Sequence, residues 1–385
     1  MTKLAIVSPF PPEISGVGQY GSRVAEGLAH SGHFEQMRVF ANQTSNAPAL
    51  EHHNGFVVQR AWRRNHLANA GILMRELRQW QPDAVWFNIG LASFGRTRLQ
   101  NFLGLSAPLL TRSLGLPTVV TLHEIFEASN LRLLGAVNGR LTYLGGQVAT
   151  RLLLQADIVC LTLRAYVQIF QKQYQAHNLA HVPHGAFDAP GFTPLPDEKR
   201  ILMFAMHAPY KGLPELLDIF RQLRADDPSI RLTVAGSDHH RFPGYLNQVR
   251  EALGESPGVE WRVGVPENEV PGLFASARVV ALPCIATTGA SSIIHRASAH
   301  GRPVLAYNHD DLRAVADEEN LHVEFVPQGD RNAFARQLRD LLKDPARCET
   351  IGRENVAVMR TMTLAVTCQR YIQLFERATA LNGVL

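Results

Sequence analysis

Short apolar runs alternate with amphipathic stretches along the whole of this 385-residue chain. A strand buried on both faces is a continuous apolar run, whereas a globular helix places apolar residues every three or four positions. The strand-like runs of the first half lie at residues 4–7, 37–41, 56–62, 84–89, 118–123 and 157–162. Those of the second half lie at 201–206, 231–236, 259–264, 278–283, 303–308 and 323–327. This alternation predicts an α/β protein with parallel sheets, and its recurrence predicts two domains of one architecture.

The two series of strands are separated by residues 188–199, DAPGFTPLPDEK, where three prolines and a glycine interrupt helix and strand. The length of the chain exceeds one comfortable domain, and a hydrophobic content of 46% is enough for two cores. We therefore predict a first domain over residues 1–188 and a second over 189–362. A C-terminal helical segment follows over 363–385.

Composition favours a cytoplasmic protein that is soluble or peripheral to a membrane. The four cysteines are far apart and form no close pair, so they indicate neither a disulfide framework nor a zinc site. No apolar stretch reaches the roughly 18 residues of a spanning helix. The first 188 residues carry 16 basic and 10 acidic side chains, against 22 and 24 in the rest. This bias suits an anionic surface, but basic residues without interleaved aromatics do not indicate nucleic acid.

Two leucine-rich segments with spaced arginines lie in the basic half, at residues 99–116 and 131–154. Two interpretations are open for them. They are either helices that lie on a membrane or helices that pack into the core, because the apolar stripe is the same in both cases.

Residues 280–306 form the stretch that most directly suggests a ligand site. An apolar strand is followed by the small, polar run of residues 287–292, then by a helical pattern that ends at Gly301. The free N–H groups of a helix start, with the Ser291 and Ser292 hydroxyls, suit a phosphate or diphosphate. The alternative is a helix start that is capped only by its serines.

Three further features of the chain are candidates: a glycine pair, a histidine and a lysine. Gly16 and Gly18 lie in the segment after the first strand and permit close backbone approach, although their spacing is not the dinucleotide fingerprint and a flexible loop without a ligand is the alternative. His123 ends the fifth strand, at the edge of a parallel sheet where ligands bind, but such a histidine is equally often structural. His184 and Gly185 indicate a turn.

Lys211 is the third candidate, in the sequence HAPYKGLPELL, between a strand and a helix. A cation at a helix N-terminus opposes the helix dipole unless an anionic ligand is present. The sequence therefore predicts either an anion-binding lysine or a solvated surface lysine.

The order of these features resembles that of the family-4 glycosyltransferases, which are retaining enzymes with the GT-B fold, over almost the whole chain. The family's first loop, TxHD, VIPNGVD and PxKG elements resemble PFPPEISGVGQYG at 9–21, TLHE at 121–124, VPHGAFD at 182–188 and PYKG at 209–212. Its nucleotide-binding domain is similar to residues 234–238, 259–283 and 299–306.

The resemblance implies an α/β GT-B protein with two Rossmann-like domains that face a cleft and a last helix that crosses back to the first domain. It places the catalytic roles on His123 and Lys211. It places the donor nucleotide-sugar on Gly16, Gly18, Lys211, Gly236, Val265, Pro266, Gly289, Ala290, Ser291, Ser292 and Arg296. It implies no metal and no cofactor, with a UDP- or GDP-sugar as the substrate.

The chain also departs from the family pattern. Thr288 and Arg296 stand where family members carry two glutamates, and Ala208 stands where a basic residue often precedes PxKG. Arg296 is then expected to contact phosphate, to contact a donor carboxylate or to point to solvent.

These features together predict a retaining hexosyltransferase of bacterial cell-surface or exopolysaccharide synthesis. Its acceptor is expected to be a sugar or a lipid-linked saccharide, reached at the inner face of the plasma membrane. Two other functions stay open: a catalytically inactive GT-B nucleotide-binding or partner protein, and a sugar-nucleotide epimerase.

Overall fold

The computed structural model describes residues 2–128, 139–254, 256–287 and 289–382. These residues form two compact units. The first unit comprises the described residues of Met1–His184, Thr288–Ala290 and Leu364–Leu385, and the second those of Gly185–Thr287 and Ser291–Thr363.

The first unit is built on an eight-stranded sheet of order β3-β4-β2-β1-β5-β6-β7-β8, in which only β3 is antiparallel to its neighbour. Its strands are β1 (Lys3–Ser8), β2 (Gln36–Asn42), β3 (Leu50–His53), β4 (Phe56–Trp62), β5 (Ala84–Ile89), β6 (Thr118–Leu122), β7 (Ile158–Leu161) and β8 (Leu179–His181). Its helices are α1 (Gly16–His30), α2 (Asn69–Trp80), α3 (Arg98–Leu105), α4 (Ala107–Ser113), α5 (Gly139–Leu153), α6 (Arg164–Tyr174) and, from the end of the chain, α14 (Leu364–Asn382).

The second unit has a six-stranded, wholly parallel sheet of order β11-β10-β9-β12-β13-β14. Its strands are β9 (Arg200–His207), β10 (Arg231–Asp238), β11 (Val259–Val263), β12 (Val279–Leu282), β13 (Val304–Tyr307) and β14 (Glu324–Val326). Its helices are α7 (Leu213–Asp226), α8 (Tyr245–Leu253), α9 (Val270–Ser276), α10 (Ser292–Ala299), α11 (Asp310–Glu319), α12 (Arg331–Lys343) and α13 (Pro345–Met359).

The α/β class and the predicted strands are confirmed. The central strands β1, β5, β6, β7, β12 and β13 are almost entirely buried, because helices cover both faces of a parallel sheet. Two strands were not predicted, β3 and β8, since the sequences LEHH and LAH are too polar or too short to read as strands.

The buried apolar cluster of the second unit has α7 on one side. Leu213, Leu216, Leu217 and Phe220, which the sequence places at core spacing, are all buried in it. In the first unit α14 packs against α1, and its Tyr371 ring lies 4.7 Å from the ring of buried Trp86. No described helix combines the length and apolar composition that crossing a bilayer requires.

The described parts of the two leucine-rich segments are mainly helical. Residues 99–116 contain most of α3 and all of α4, and the described part of 131–154 contains α5, while 131–138 lie outside the described residues.

Candidate functional site

His123 follows β6 at the carboxyl edge of the first sheet and is buried. Its Nε2 lies 2.6 Å from Oδ1 of Asn88, which is at the end of the neighbouring strand β5. The amide nitrogen of Asn88 donates to the Ser8 hydroxyl and to the Val17 carbonyl, each at 2.8 Å. Because these two bonds fix the orientation of the amide, its oxygen must accept from His123, and the proton of the His123 ring is on Nε2.

The other ring nitrogen of His123, Nδ1, is therefore an acceptor, and it lies 3.4 Å from Nε2 of His184. Burial lowers the pKa of His123 to about 3, so the ring is neutral at pH 7. A neutral ring whose N–H is committed to Asn88 supplies no positive charge to a ligand.

Tyr20 of α1 holds both histidines from one side. Its ring makes edge contacts with the rings of His123 at 4.7 Å and His184 at 5.0 Å. Its hydroxyl lies 3.0 Å from that of Tyr371 in α14, which lies 3.0 Å from the Thr121 hydroxyl. This chain of hydrogen bonds links α14 to the strand that carries His123.

The glycines predicted for the donor site of the first unit have different surroundings. Gly16 and Gly18 lie in the first turn of α1, which Ser15 caps, so the prediction of a loop there was wrong. A side chain on Gly18 would meet the Ser15 hydroxyl at 2.8 Å, whereas one on Gly16 would enter open space. Gly289 has φ +150° and packs against the carbonyl oxygen of His123, where a Cβ would be 2.1 Å away. Gly18 and Gly289 are thus explained by packing, and Gly16 is not.

Lys211 lies at the carboxyl edge of the second sheet, although α7 does not begin at it. Residues Pro209–Lys211 form a single 3₁₀ turn after β9, Gly212 follows at φ 78°, and the helix starts at Leu213. The prediction that Lys211 sits at the helix N-terminus was therefore wrong by two residues. Gly212 cannot be replaced easily, because a Cβ there would lie 2.1 Å from the Pro283 carbonyl oxygen.

Lys211 is half-buried, and its ammonium group lies 5.4 Å from the centre of the Tyr210 ring. Within the described ranges, no carboxylate forms an ion pair with it. A half-buried cation without a carboxylate partner is available to an anionic ligand.

Three other predicted donor residues lie on strands or turns that meet the same edge. Gly236, inside β10, has φ 118°, and a Cβ there would be 2.0 Å from the Ala205 carbonyl oxygen, so strand packing alone explains this glycine. Val265 and Pro266 follow β11 and lead into a 3₁₀ turn of Glu267–Glu269. Val265 is half-buried and Pro266 is exposed.

The start of α10 retains an available anion-binding geometry. Ser291 is the N-cap residue, yet its side chain makes no capping hydrogen bond, and the first turn of the helix contains no acidic residue. The alternative of a helix start capped by its serine side chains is therefore wrong for Ser291. Ser291 and Ser292 are half-buried, as is Ala290, which groups with the first unit.

Arg296, in α10, is buried, so the expectation that it points to solvent was wrong. Its guanidinium donates to Glu267, lies 3.9 Å from Asp188 Oδ2 and stacks at 5.0 Å on the Phe187 ring. His300 Nε2 also reaches Asp188 Oδ2, at 3.3 Å. Arg296 is thus brought together with the turn that follows Val265 and Pro266. Thr288, the other departure from the family pattern, lies outside the described residues.

Sequence reasoning missed several residues of these sites. Asn88, Tyr20 and His184 join His123 over separations of 35 to 103 positions, and only the position of Asn88 at a strand end gave a signal. Glu267 was missed because nothing in the sequence pairs it with Arg296. No group of three or more potential metal ligands occurs among the described residues.

Two family models match the chain, one for each half. Residues 15–185 match the glycosyl transferase 4-like domain, and residues 198–344 match glycosyl transferases group 1. The chain is also similar to a GDP-mannose-dependent alpha-(1-6)-phosphatidylinositol monomannoside mannosyltransferase of Mycolicibacterium smegmatis, with 27% identity over 194 residues. That match covers 45% of this chain and spans only about half, 50%, of the relative's length.

Solved structures resemble the whole chain. Sucrose-phosphate synthase from Thermosynechococcus elongatus has a TM-score of 0.76 at 18% identity and covers 99% of this chain and 100% of its own. The Anabaena HepE protein in complex with UDP-glucose has a TM-score of 0.71 at 17% identity, with the same coverage. A UDP-forming trehalose-phosphate synthase from Burkholderia xenovorans has a TM-score of 0.68 at 14% identity and covers 98% of this chain and 99% of its own.

The likeness to these structures, together with the two parallel sheets, establishes the α/β fold of the GT-B proteins. The two family models add that both halves carry glycosyltransferase sequence patterns. The chain thus has the GT-B fold, and each of its halves matches a glycosyltransferase family model.

Proposed function

We propose that this protein is a retaining hexosyltransferase that moves a sugar from a UDP- or GDP-sugar to an acceptor. The observation that carries the proposal is Lys211, a half-buried cation without a carboxylate partner among the described residues, at the edge where ligands of parallel α/β sheets bind. The similar mannosyltransferase uses GDP-mannose and HepE is seen with UDP-glucose, which favours these two nucleotides.

In the proposed reaction the acceptor hydroxyl oxygen bonds to the anomeric carbon while the bond from that carbon to the diphosphate breaks. The hydroxyl proton passes to the departing diphosphate, so the atoms and charges balance. Lys211 and the N–H groups at the start of α10 stabilise the negative charge that develops on the leaving group. We propose that this requires no metal ion and no cofactor.

The other predicted residues take supporting roles in the proposal. Val265 and Pro266 present backbone to the base, and Gly16, Gly18 and His123 serve the donor from the first unit, as the resemblance implies. Arg296 acts by holding the turn that begins at Glu267, to which its guanidinium donates.

A panel of UDP-, GDP-, ADP- and dTDP-sugars, incubated with and without acceptor, tests the reaction class. Acceptor-dependent release of the nucleotide with sugar transfer is the expected result. A changed sugar nucleotide without acceptor would instead indicate an epimerase, and binding without turnover would indicate a nucleotide-binding partner protein.

We further propose that the acceptor is lipid-linked and is reached at an anionic membrane, as in cell-surface polysaccharide synthesis at the inner face of the plasma membrane. Helices α3, α4 and α5 pack on one another and contain four arginines and no acidic residue. They expose a set of apolar side chains, namely Leu99, Phe102, Leu110, Tyr143, Leu144 and Val148. Exposed apolar groups among cations match the boundary of an anionic bilayer, and the similar mannosyltransferase is named for a phosphatidylinositol-linked acceptor.

Sedimentation with vesicles tests this surface. The wild type should pellet with anionic vesicles at low salt and be released as salt rises. Leu144→Asp should weaken the binding, whereas Val263→Asp, which changes an equally exposed side chain (57% in both) of the second unit, should not. Equal recovery with neutral and anionic vesicles would contradict the proposal.

A further inference from the structure

The carboxyl ends of the neighbouring parallel strands β9 and β10 carry three histidines close to Lys211. His207 is the last residue of β9 and is paired in register with Asp238, the last residue of β10. His239 and His240 follow at once, and the N–H of His239 donates to the His207 carbonyl at 2.8 Å. We call His207, His239 and His240 the histidine cluster.

The cluster and Lys211 share neighbours. The ring of His239 makes edge contacts with the Tyr210 ring at 6.1 Å and lies 4.3 Å from the ring of His240. Lys211 lies over the same Tyr210 ring, 5.4 Å from its centre. Lys211 follows β9, and His239 and His240 follow the neighbouring strand β10, so the three residues border one small, aromatic-lined patch.

The charged groups that face His239 are mostly positive. Lys211 faces it from the 3₁₀ turn, and His240 and Arg241 adjoin it along the chain. The nearest carboxylate, Asp238, accepts from the N–H groups of Gly244 at 2.7 Å and Leu246 at 2.9 Å, and is thereby committed to the start of α8.

This environment keeps protons off His207 and His239 when no anion is bound. Burial, and then the charges of His240, Arg241 and Lys211, lower the pKa of His239 to about 3. Burial is also the main cause that lowers the pKa of His207 to about 4. The Nε2–H of His207 donates to the Ala235 carbonyl at 2.9 Å, and this ring is wholly buried. His239 is half-buried and His240 is exposed, so only these two can meet a ligand.

We propose that His239 and His240 form, with Lys211, a proton-dependent part of the diphosphate site, so that donor binding brings a proton onto this histidine pair. The inference rests on the proposed function, since the anion is the diphosphate of the nucleotide-sugar. An anion beside the pair reverses the repulsion from Lys211 and Arg241 and favours the imidazolium form. The protonated pair then supplies some of the positive charge that is missing because Ala208 stands where family members often carry a basic residue.

Donor affinity should consequently rise as the pH falls. When one group gains a proton on binding, the affinity rises by at most about tenfold for each unit by which the pH falls. Above the pKa of that group in the complex, the affinity no longer depends on pH. The same protonated pair would stabilise the diphosphate as it departs.

Calorimetric titration of GDP-mannose and UDP-glucose at pH 5.5, 6.5 and 7.5, repeated in buffers of different ionisation enthalpy, tests the inference. The diphosphate of an intact nucleotide-sugar is esterified at both ends, so its own titration does not interfere. The wild type should take up protons on binding and bind about three- to tenfold more tightly at pH 5.5 than at 7.5. His239→Gln should lose most of the proton uptake, and His322→Gln, at an exposed histidine of the same unit, should keep it.

A melting curve of each variant shows whether it is folded, and His240→Gln serves as the second variant if His239→Gln is not. Equal proton uptake by the wild type and the folded variants would overturn the inference and leave the proposed function standing. Binding of neither sugar nucleotide, at any pH, would overturn the proposed function and this inference with it.

Discussion

The candidate residues at the carboxyl edges of the two sheets differ in charge and in the partners that the protein gives them. In the first unit, both ring nitrogens of His123 face partners within the same unit, Asn88 and His184, and the ring is neutral. In the second unit, Lys211 is charged and the described residues offer it no carboxylate. A group with internal partners can position its neighbours, whereas a cation without a carboxylate partner is available to a ligand.

Arg296 is an exception to this difference, because it is a cation of the second unit that has carboxylate partners in the protein, Glu267 and Asp188. Its substitution is expected to have the largest effect. Arg296→Glu, which restores the residue of the family pattern, would place a third carboxylate beside Glu267 and Asp188 in a buried position. We expect a loss of about 3 to 5 kcal/mol in the free energy of unfolding. Urea unfolding measures this, with Arg221→Glu at a half-exposed position as the control.

Arg296→Met keeps the apolar contact with Phe187 and adds no carboxylate. Its affinity for the donor therefore reports the loss of the guanidinium without the added charge of Arg296→Glu. If Arg296→Glu unfolds at the same urea concentration as the wild type, Arg296 does not hold this cluster together.

Substitution of Asn88 tests the hydrogen bonds around His123 in the first unit. Asn88→Ala removes the acceptor of the His123 N–H, which is buried, and the donor to the Val17 carbonyl, which is part-buried. The expected loss is about 3 kcal/mol in the free energy of unfolding, because unsatisfied buried polar groups cost about 1 to 3 kcal/mol each. Nitrogen NMR of the imidazole should also show that His123 no longer holds its proton on Nε2 alone.

The surface variant Asn46→Ala provides the matched control for Asn88→Ala in the same unit. A stable Asn88→Ala protein with an unchanged imidazole spectrum would contradict the assignment of the hydrogen bonds around His123.

Acid should weaken the fold through the buried His207, by a smaller amount than the two substitutions above. The pKa of His207 falls to about 4 in the folded state from an ordinary value of 6.5, so the unfolded chain binds its proton first. Stability contributed by the neutral ring is thus complete above pH 6.5 and is lost as the pH falls toward 4. Between pH 7 and pH 5 the loss is about 2 kcal/mol.

Urea unfolding of the wild type and His207→Gln at both pH values isolates this effect, because the other titrating groups cancel. They include His295, whose burial lowers its pKa while Glu319 raises it by more. The variant should lose about 2 kcal/mol less than the wild type on acidification. An equal loss in both proteins would show that His207 titrates alike in the folded and unfolded states.

The sequence predicted those parts of the molecule that depend on local pattern. Continuous apolar runs located β1, β5 and β12, since a strand covered on both faces excludes polar residues. The strand-turn-helix order around Lys211 also located it at the sheet edge, with an error of two residues in the helix start. The roles of Lys211 and of the other site residues stay predictions.

Long-range pairing could not be predicted in the same way. Arg296 and Glu267 are 29 positions apart and His123 and His184 are 61 apart, and no periodicity links such positions. The glycines were ambiguous for a related reason. A glycine that avoids a clash, such as Gly236, looks in the sequence like one that admits a ligand.

The central claim is that Lys211 binds the donor diphosphate. Its most direct test is the affinity of the Lys211→Ala protein for the nucleotide-sugar that the wild type prefers, measured with the melting temperature on the same preparation. Loss of one charge-assisted contact should weaken binding by about 1.5 to 3 kcal/mol, or roughly ten- to a hundredfold, while the unliganded melting temperature stays almost unchanged. Lys343→Ala, at an exposed lysine of the same unit, should bind as the wild type does. Unchanged affinity in Lys211→Ala would contradict the account, and a collapsed melting temperature would show that the lysine supports the fold instead.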